Sequence, residues 1–398
     1  MRRTTRRSWR RPVWSPYRSW VPRTRDDDAC PGALQVHQAA DGALARIRLP
    51  GGMIEAYQLE ALALVADRFG SSAMELTSRG NVQIRGVTDP AALADAIADA
   101  GLLPSSSHER VRNVVASPLT GRSGGNADVR GLVRDLDAAI QASATLADLP
   151  GRFWFGVDDG RGDVSGLSAD VGAHLLDAET AALLVAGVDT GIRTRDVVPA
   201  LIGLAEEFTR VRGSAWRTAE LTDTDLLLTG QTGAVEPGAR WPTVTRPPVG
   251  WIQQHDGRVT LGAAVRLGVL DARVAEYLAA IGAPMVITPW RSVLVCDLED
   301  GVADAALRVL APLGLVFDDG SPWLDVSACT GSPGCAHSLA DVRRDAARAV
   351  NGDDGDADAD AGTPGVHRHF VGCERACGSP STGEVLVATA SGYEPRHP

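Results

Sequence analysis

The stretch ACTGSPGC at 328–335 sets Cys329 and Cys335 in a C-x5-C spacing, and GCERAC at 372–377 adds Cys373 and Cys377 as C-x3-C. Thiolates are soft ligands suited to iron–sulfur clusters and to zinc. A four-iron cluster needs four of them converging from loops or helix starts among small neighbours, which Gly331, Gly334, Gly372 and Gly378 supply. Zinc sites more often pair cysteines as C-x2-C, a spacing neither pair has, yet on spacing alone zinc and unrelated buried thiols both stay open. The chain has 6 cysteines in 398 residues, too few for a disulfide framework, and the bunching of these four points to metal. Cys30 and Cys296 stand outside the pattern and read as ordinary small residues.

The elements that must position these thiols look duplicated. LARIRLPGG (44–52) reads as extended, AYQLEALALVADRFG (56–70) as helix, MELTSRGNVQIRGV (74–87) as strand, and 90–100 as a second helix. The same order returns in RVTLGAAVRLG (258–268), DARVAEYLAAIG (271–282), MVITPWRSVLVCDL (285–298) and GVADAALRVLAPLG (301–314). Thr77 with Arg79 matches Thr288 with Arg291, and the Arg112–Pro118 segment matches Val326–Cys329 at a similar distance downstream. Each copy reads β-α-β-β-α, a ferredoxin-like α+β half-domain followed by a site unit, with the cysteines only in the second copy. Between the copies, two helical patterns (132–150 and 198–213) alternate with the strand-like GRFWFGVDDG (151–160) and AELTDTDLLLTG (219–230).

Composition narrows the function classes. The chain is 44% apolar and 22% charged with no apolar run near 18 residues, so no membrane span is expected and the chain reads as cytoplasmic. All 39 basic residues are arginine, and nine of them fall in the first 25 residues, which contain no acid and no apolar core of a signal peptide. That stretch is expected to be a disordered basic tail, or to follow from a start codon placed too far upstream. The remainder is strongly acidic and argues against a general nucleic-acid binder. No G-x-G-x-x-G follows a strand, no G-x-x-x-x-G-K occurs, and GVDDGRGDVSG lacks the nucleotide fingerprint. Electrons are therefore expected from a separate ferredoxin, flavodoxin or NAD(P)H-dependent reductase.

The C-x5-C and C-x3-C pairs, together with LTSRGNVQIRG, resemble the sulfite and nitrite reductases and their relative precorrin-3B synthase. In that family two ferredoxin-like half-domains alternate with two site domains, and a 4Fe-4S cluster lies beside a tetrapyrrole. The implied map is a basic tail 1–25, half-domain 26–104, site domain 105–230, linker 231–250, half-domain 251–320, and a shortened second site domain 321–398 carrying the cysteines. An acidic low-complexity loop is expected at 351–365. The second cysteine pair encloses Glu374-Arg375-Ala376 rather than Pro-Asn, and Pro150-Gly151-Arg152-Phe153-Trp154 replaces the lysine-bearing anion segment of the reductases.

These departures tilt the resemblance toward precorrin-3B synthase, an oxidoreductase of cobalamin biosynthesis that hydroxylates precorrin-3A with dioxygen and closes a γ-lactone. It implies Cys329, Cys335, Cys373 and Cys377 as ligands of the 4Fe-4S cluster, and a mononuclear non-haem iron for which His337, His367 and His369 are candidate ligands. Arg79, Arg112 and Arg152 match positions around the tetrapyrrole; Arg85 and Gln83 share a strand face with Arg79, and planar cations suit its carboxylates. Two other readings stay open: a siroheme-dependent sulfite or nitrite reductase, and a tetrapyrrole carrier without turnover.

Overall fold

In a computed structural model, residues 28–229, 235–352, 366–380 and 382–396 are described. The expected basic tail 1–25, the start of the linker and most of the acidic loop lie outside them. The first half-domain runs β1 (His37–Ala39), β2 (Gly42–Ile47), β3 (Met53–Ile54), α1 (Ala56–Phe69), β4 (Ala73–Leu76), β5 (Val82–Val87) and α2 (Pro90–Asp99). Strand alternation sorts its side chains. Ala45, Ile47, Met74, Leu76, Val82 and Ile84 are buried in the core, while Arg46, Glu75, Gln83 and Arg85 lie on the opposite face. Helix α1 starts with a reciprocal capping box between Glu55 and Gln58 and buries Leu59, Leu62, Ala63 and Ala66, one face of a 3.6-residue period.

Between the half-domains, the first site domain runs β6 (Val114–Ala116), α3 (Arg130–Ala142), β7 (Phe155–Asp158), β8 (Val171–Leu175), β9 (Ala181–Val185), β10 (Val188–Thr194) and α4 (Val197–Val211). The second half-domain follows with β11 (Gly250–Gln253), β12 (Val259–Ala264), β13 (Val269–Asp271), α5 (Ala272–Ala279), β14 (Met285–Ile287), β15 (Ser292–Leu298) and α6 (Asp300–Leu310).

The two half-domains exchange strands. β13 pairs antiparallel with β4, Leu270 opposite Met74, and β3 pairs with β14, Ile54 opposite Met285. The resulting sheets run β1-β2-β5-β4-β13 and β11-β12-β15-β14-β3, with α1 against α5 and one apolar core through both units. The exchange needs close backbone approach. Gly52 sits at φ 69, and a Cβ there would lie 1.9 Å from the Ile287 carbonyl oxygen.

The second site domain comprises β16 (Val326–Ala328), α7 (Val342–Asn351), β17 (Arg368–Val371), β18 (Glu384–Thr389) and β19 (Gly392–Arg396). The two site sheets share a plan: β6, β7 and β8 are parallel, as are β16, β17 and β18, and each set ends in an antiparallel partner, β9 or β19. The expected strand at 219–230 is instead a pair of 3-10 turns, Thr218–Glu220 and Asp225–Leu228. Asp223 accepts a hydrogen bond from the Asp225 amide at 2.9 Å, a local bond that competes with a strand ladder.

Gly52→Ala is expected to destabilise the protein by about 2–4 kcal/mol, because both the steric clash and the left-handed dihedral oppose it. Urea unfolding with an unchanged midpoint would show that the exchange tolerates a side chain there.

Candidate functional site

β16 and β17 are parallel neighbours, so the loops leaving their C-terminal ends emerge side by side. Cys329 directly follows the first of these strands and Cys335 lies in the turn before α7, while Cys373 and Cys377 lie in the loop after β17. Backbone bonds stitch the loops together: Cys329 N donates to Phe370 O at 2.9 Å and Leu339 N to Gly372 O at 2.9 Å. The Gly372 amide donates to Cys329 Sγ at 3.4 Å. Burial raises the pKa of the Cys377 thiol, and the neighbouring Cys373, Cys329 and Cys335 raise it further, so the structure brings the four thiols together. No three of their sulfurs lie mutually within 4.8 Å.

The histidines fit a mononuclear iron poorly. His369 is fully buried; its Nε2 donates to Cys377 O at 3.0 Å, so in the neutral ring Nδ1 accepts from Ser327 Oγ at 2.7 Å. Burial lowers its pKa to about 4, and Arg291 and His367 add to that. His367 Nε2 meets the same Ser327 hydroxyl at 2.7 Å, and His337 is exposed. Among the described residues these rings form no group of three convergent metal-ligand atoms, so no two-histidine-one-carboxylate set exists here.

The open face of the first sheet runs from the cysteine loops to the first site domain, and it is lined with guanidinium groups. Arg85 forks onto Asp41 (both bonds 2.8 Å) and its Nη2 also donates to Gly334 O at 2.8 Å, so it braces the turn before Cys335. Arg112 forks onto Asp137 at 2.7 and 2.8 Å. Both are committed to acids of the scaffold. Arg79 lies half-buried in the turn before β5, and its guanidinium donates to the Arg152 carbonyl at 3.0 Å; Arg152 in turn stacks over the Trp216 ring at 5.0 Å. Gln83 accepts from Arg46 Nε and Nη2 at 3.2 and 2.8 Å and donates to the buried Glu75, which also pairs with Arg343.

Sequence reasoning missed Arg46 and Arg48. Arg46 donates to Cys30 Sγ at 3.2 Å, which makes Cys30 part of this face rather than an ordinary residue. Arg48 is 2% exposed; its Nη2 donates to the Pro31 and Arg110 carbonyls at 3.1 and 3.0 Å, and its Nε has no partner. Burial and then Arg46 lower its pKa to about 9, and burial with Arg217 and Arg46 lowers that of Arg79 to about 10. Arg46, Arg48, Arg79, Arg152 and Arg291 have no carboxylate partner among the described residues. The alternation RIRL at 46–49 was the available signal, since it repeats the two-residue offset of Gln83 and Arg85.

Residues 37–99 match the nitrite/sulfite reductase ferredoxin-like half domain. A precorrin-3B synthase of Sinorhizobium sp is 27% identical over 385 residues, 92% of this chain and 81% of that protein. The chain resembles precorrin-3B synthase. The ferredoxin–nitrite reductase of Synechococcus elongatus is 33% identical over 127 residues, which are 30% of this chain and 25% of that one. The NirA protein of Mycobacterium tuberculosis has the same fold, with a TM-score of 0.71 at 19% identity over 89% of this chain and 73% of that one. The α+β fold with ferredoxin-like half-domains thus stands. No helix of the described residues is long and apolar enough to cross a membrane.

Away from this face, the precorrin-3B synthase-like chain gathers Asp158, Asp159 and Asp163 within 4.8 Å of one another at the end of β7. Asp158 accepts four backbone N–H bonds, from Gly160, Gly162, Val164 and Ser165 at 2.8–3.0 Å. Burial opposes its charge, but His174 and these amides outweigh that and hold its pKa at about 2. Arg161 neutralises Asp159. Burial and the Asp158 charge push Asp163 up to about 7, with Ser117 Oγ donating to it at 2.6 Å.

A native pKa above the unfolded value means that Asp163 contributes stability below pH 4 and loses it as pH rises toward 7. Asp163→Asn keeps the acceptor for Ser117, so it is expected to gain about 1–3 kcal/mol over the parent at pH 8 and nothing at pH 4. Urea midpoints at the two pH values, if equally displaced, would rule out the titration.

Proposed function

We propose that the chain is an oxidoreductase of cobalamin biosynthesis, a precorrin-3B synthase that hydroxylates precorrin-3A with dioxygen and closes a γ-lactone. The resemblance to the Sinorhizobium precorrin-3B synthase along nearly the whole chain supports this reading. The observation that carries it is the set of guanidinium groups without a carboxylate partner on a face shared with four cysteines. Buried cations without acids are costly unless a ligand supplies the charge, and a macrocycle edged with acetates and propionates supplies several carboxylates at once.

In this reading Cys329, Cys335, Cys373 and Cys377 hold a 4Fe-4S cluster, which when bound supplies single-electron relay. Arg79, Arg152 and Arg46 take substrate carboxylates, with the buried Arg48 adding positive charge behind them. Gln83 orients Arg46 by accepting from two of its nitrogens. Arg85 and Arg112 act at one remove, Arg85 by fixing the Gly334 carbonyl beside Cys335 and Arg112 by tying the start of the first site domain to α3 through Asp137. Trp216, stacked with Arg152, offers an aromatic wall next to the planar ligand. Electrons come from an external ferredoxin, flavodoxin or reductase, because no nucleotide-binding motif is present. No step is assigned to a second iron, since the histidines do not form its site.

The test is anaerobic purification with iron, labile sulfide and absorption analysis, then precorrin-3A turnover under labelled dioxygen. The expected result is equal iron and sulfide, no intense tetrapyrrole-iron bands, and label in the product. Cys335→Ser is expected to lose iron and sulfide together. Arg79→Ala should retain both while binding precorrin-3A about tenfold or more weakly. Siroheme bands with nitrite or sulfite reduction would replace this reading with the reductase one.

A further inference from the structure

The internal repeat aligns differently in space than in sequence. In the first copy Thr77 N donates to Asn81 O at 2.9 Å and Gly80 N to Thr77 O at 3.1 Å; in the second, Thr288 N donates to Ser292 O at 2.9 Å and Arg291 N to Thr288 O at 3.0 Å. Arg291 therefore occupies the place of Gly80, and Trp290 that of Arg79. Trp290 is tied down, its Nε1 donating to Val244 O at 2.7 Å. Gly80 has φ 65 and Arg291 φ 58, so the second copy puts an arginine where the backbone favours glycine. Such strain persists where surrounding structure enforces it, often at functional sites.

The Arg291 side chain has a slot built for it. A Cβ on Gly268 would come within 2.7 Å of Arg291 Cδ, and a Cβ on Gly378, next to Cys377, within 3.2 Å of Nη2. The nearest influential acid is Glu75, which already bonds Gln83 and Arg343. Among the described residues the Arg291 guanidinium makes no hydrogen bond and has no carboxylate partner. It is a half-buried fork lying at the cysteine-loop end of the row that continues through Arg343, Glu75, Gln83 and Arg46.

We infer that Arg291 holds the substrate carboxylate on the edge of the macrocycle that faces the cysteine loops, and thereby orients the ring relative to them. The inference rests on the tetrapyrrole reading above. A guanidinium fork takes a carboxylate bidentately, and its fixed place in the glycine-lined slot makes it a directional anchor where a mobile surface cation would not be.

The experiment is titration of the anaerobically purified full chain with uroporphyrin, a macrocycle carrying acetate and propionate on every ring. Arg291→Gly removes the fork and relieves the backbone, so thermal stability and iron and sulfide content should not fall. Its affinity for uroporphyrin should drop roughly 10- to 100-fold. Arg291→Lys should recover part of that loss, and Arg308→Ala, on the exposed face of α6, should change nothing. Parental affinity in Arg291→Gly would overturn the inference while leaving the tetrapyrrole reading in place. So would loss of its iron, which would make Arg291 a support of the cysteine loop. Failure of the parent chain to bind uroporphyrin or precorrin-3A would overturn both.

Discussion

The site depends on the reciprocal exchange of β3 and β13 between the half-domains. Each is only two or three residues long, yet each completes the other unit's sheet. Because the two sheets then share one core, their open faces are fixed relative to each other, and so are the turns after β4 and β14. The backbone contact that permits the exchange is as close as packing allows, with the Gly52 turn pressed onto the Ile287 carbonyl.

On that frame the arginines divide by whether the protein supplies their counter-charge. Arg85, Arg112 and Arg122 fork onto Asp41, Asp137 and Asp297, Arg217 holds Asp170 through its Nε, and the Arg122–Asp297 pair joins separate domains. They behave as rigid struts, since breaking one leaves a charge stranded in a low-dielectric setting. Arg46, Arg48, Arg79 and Arg291 have no such carboxylate partner among the described residues, and burial shifts the pKa of Arg48, Arg79 and Arg291 downward. The protein thus holds positive charge in reserve at one place, although its overall charge is −11. Charge reserved inside an acidic molecule is a property of ligand binding rather than of folding.

Helices α1, α2, α5 and α6 were legible from periodicity, and so were the strands bearing Gln83 and Arg85, because apolar spacing is a local property of the chain. The β8–β10 region was missed, and 219–230 was read as strand, because side-chain-to-backbone bonds at Asp223 override a Leu-rich run. The equivalence of Arg79 with Arg291 failed by one residue. Arg79 stands two residues after its threonine and Arg291 three after its own, and the backbone bonds show that the third position is the left-handed one.

The sequence by itself determined the duplicated α+β plan, the four thiols and the family they resemble, since these rest on residue identity and short spacing. Tertiary structure decided which arginines are struts paired with acids and which lack a carboxylate partner among the described residues. It also decided that Cys30 belongs to the cation face and that the histidines satisfy each other through Ser327 instead of converging on a metal. The physical reason is that a charge is defined by its partner: Asp41 and Asp137 lie 44 and 25 residues from their arginines, and Arg343 reaches Glu75 across 268. Such pairings cost no local signal to make, and only the folded chain brings them within a hydrogen bond.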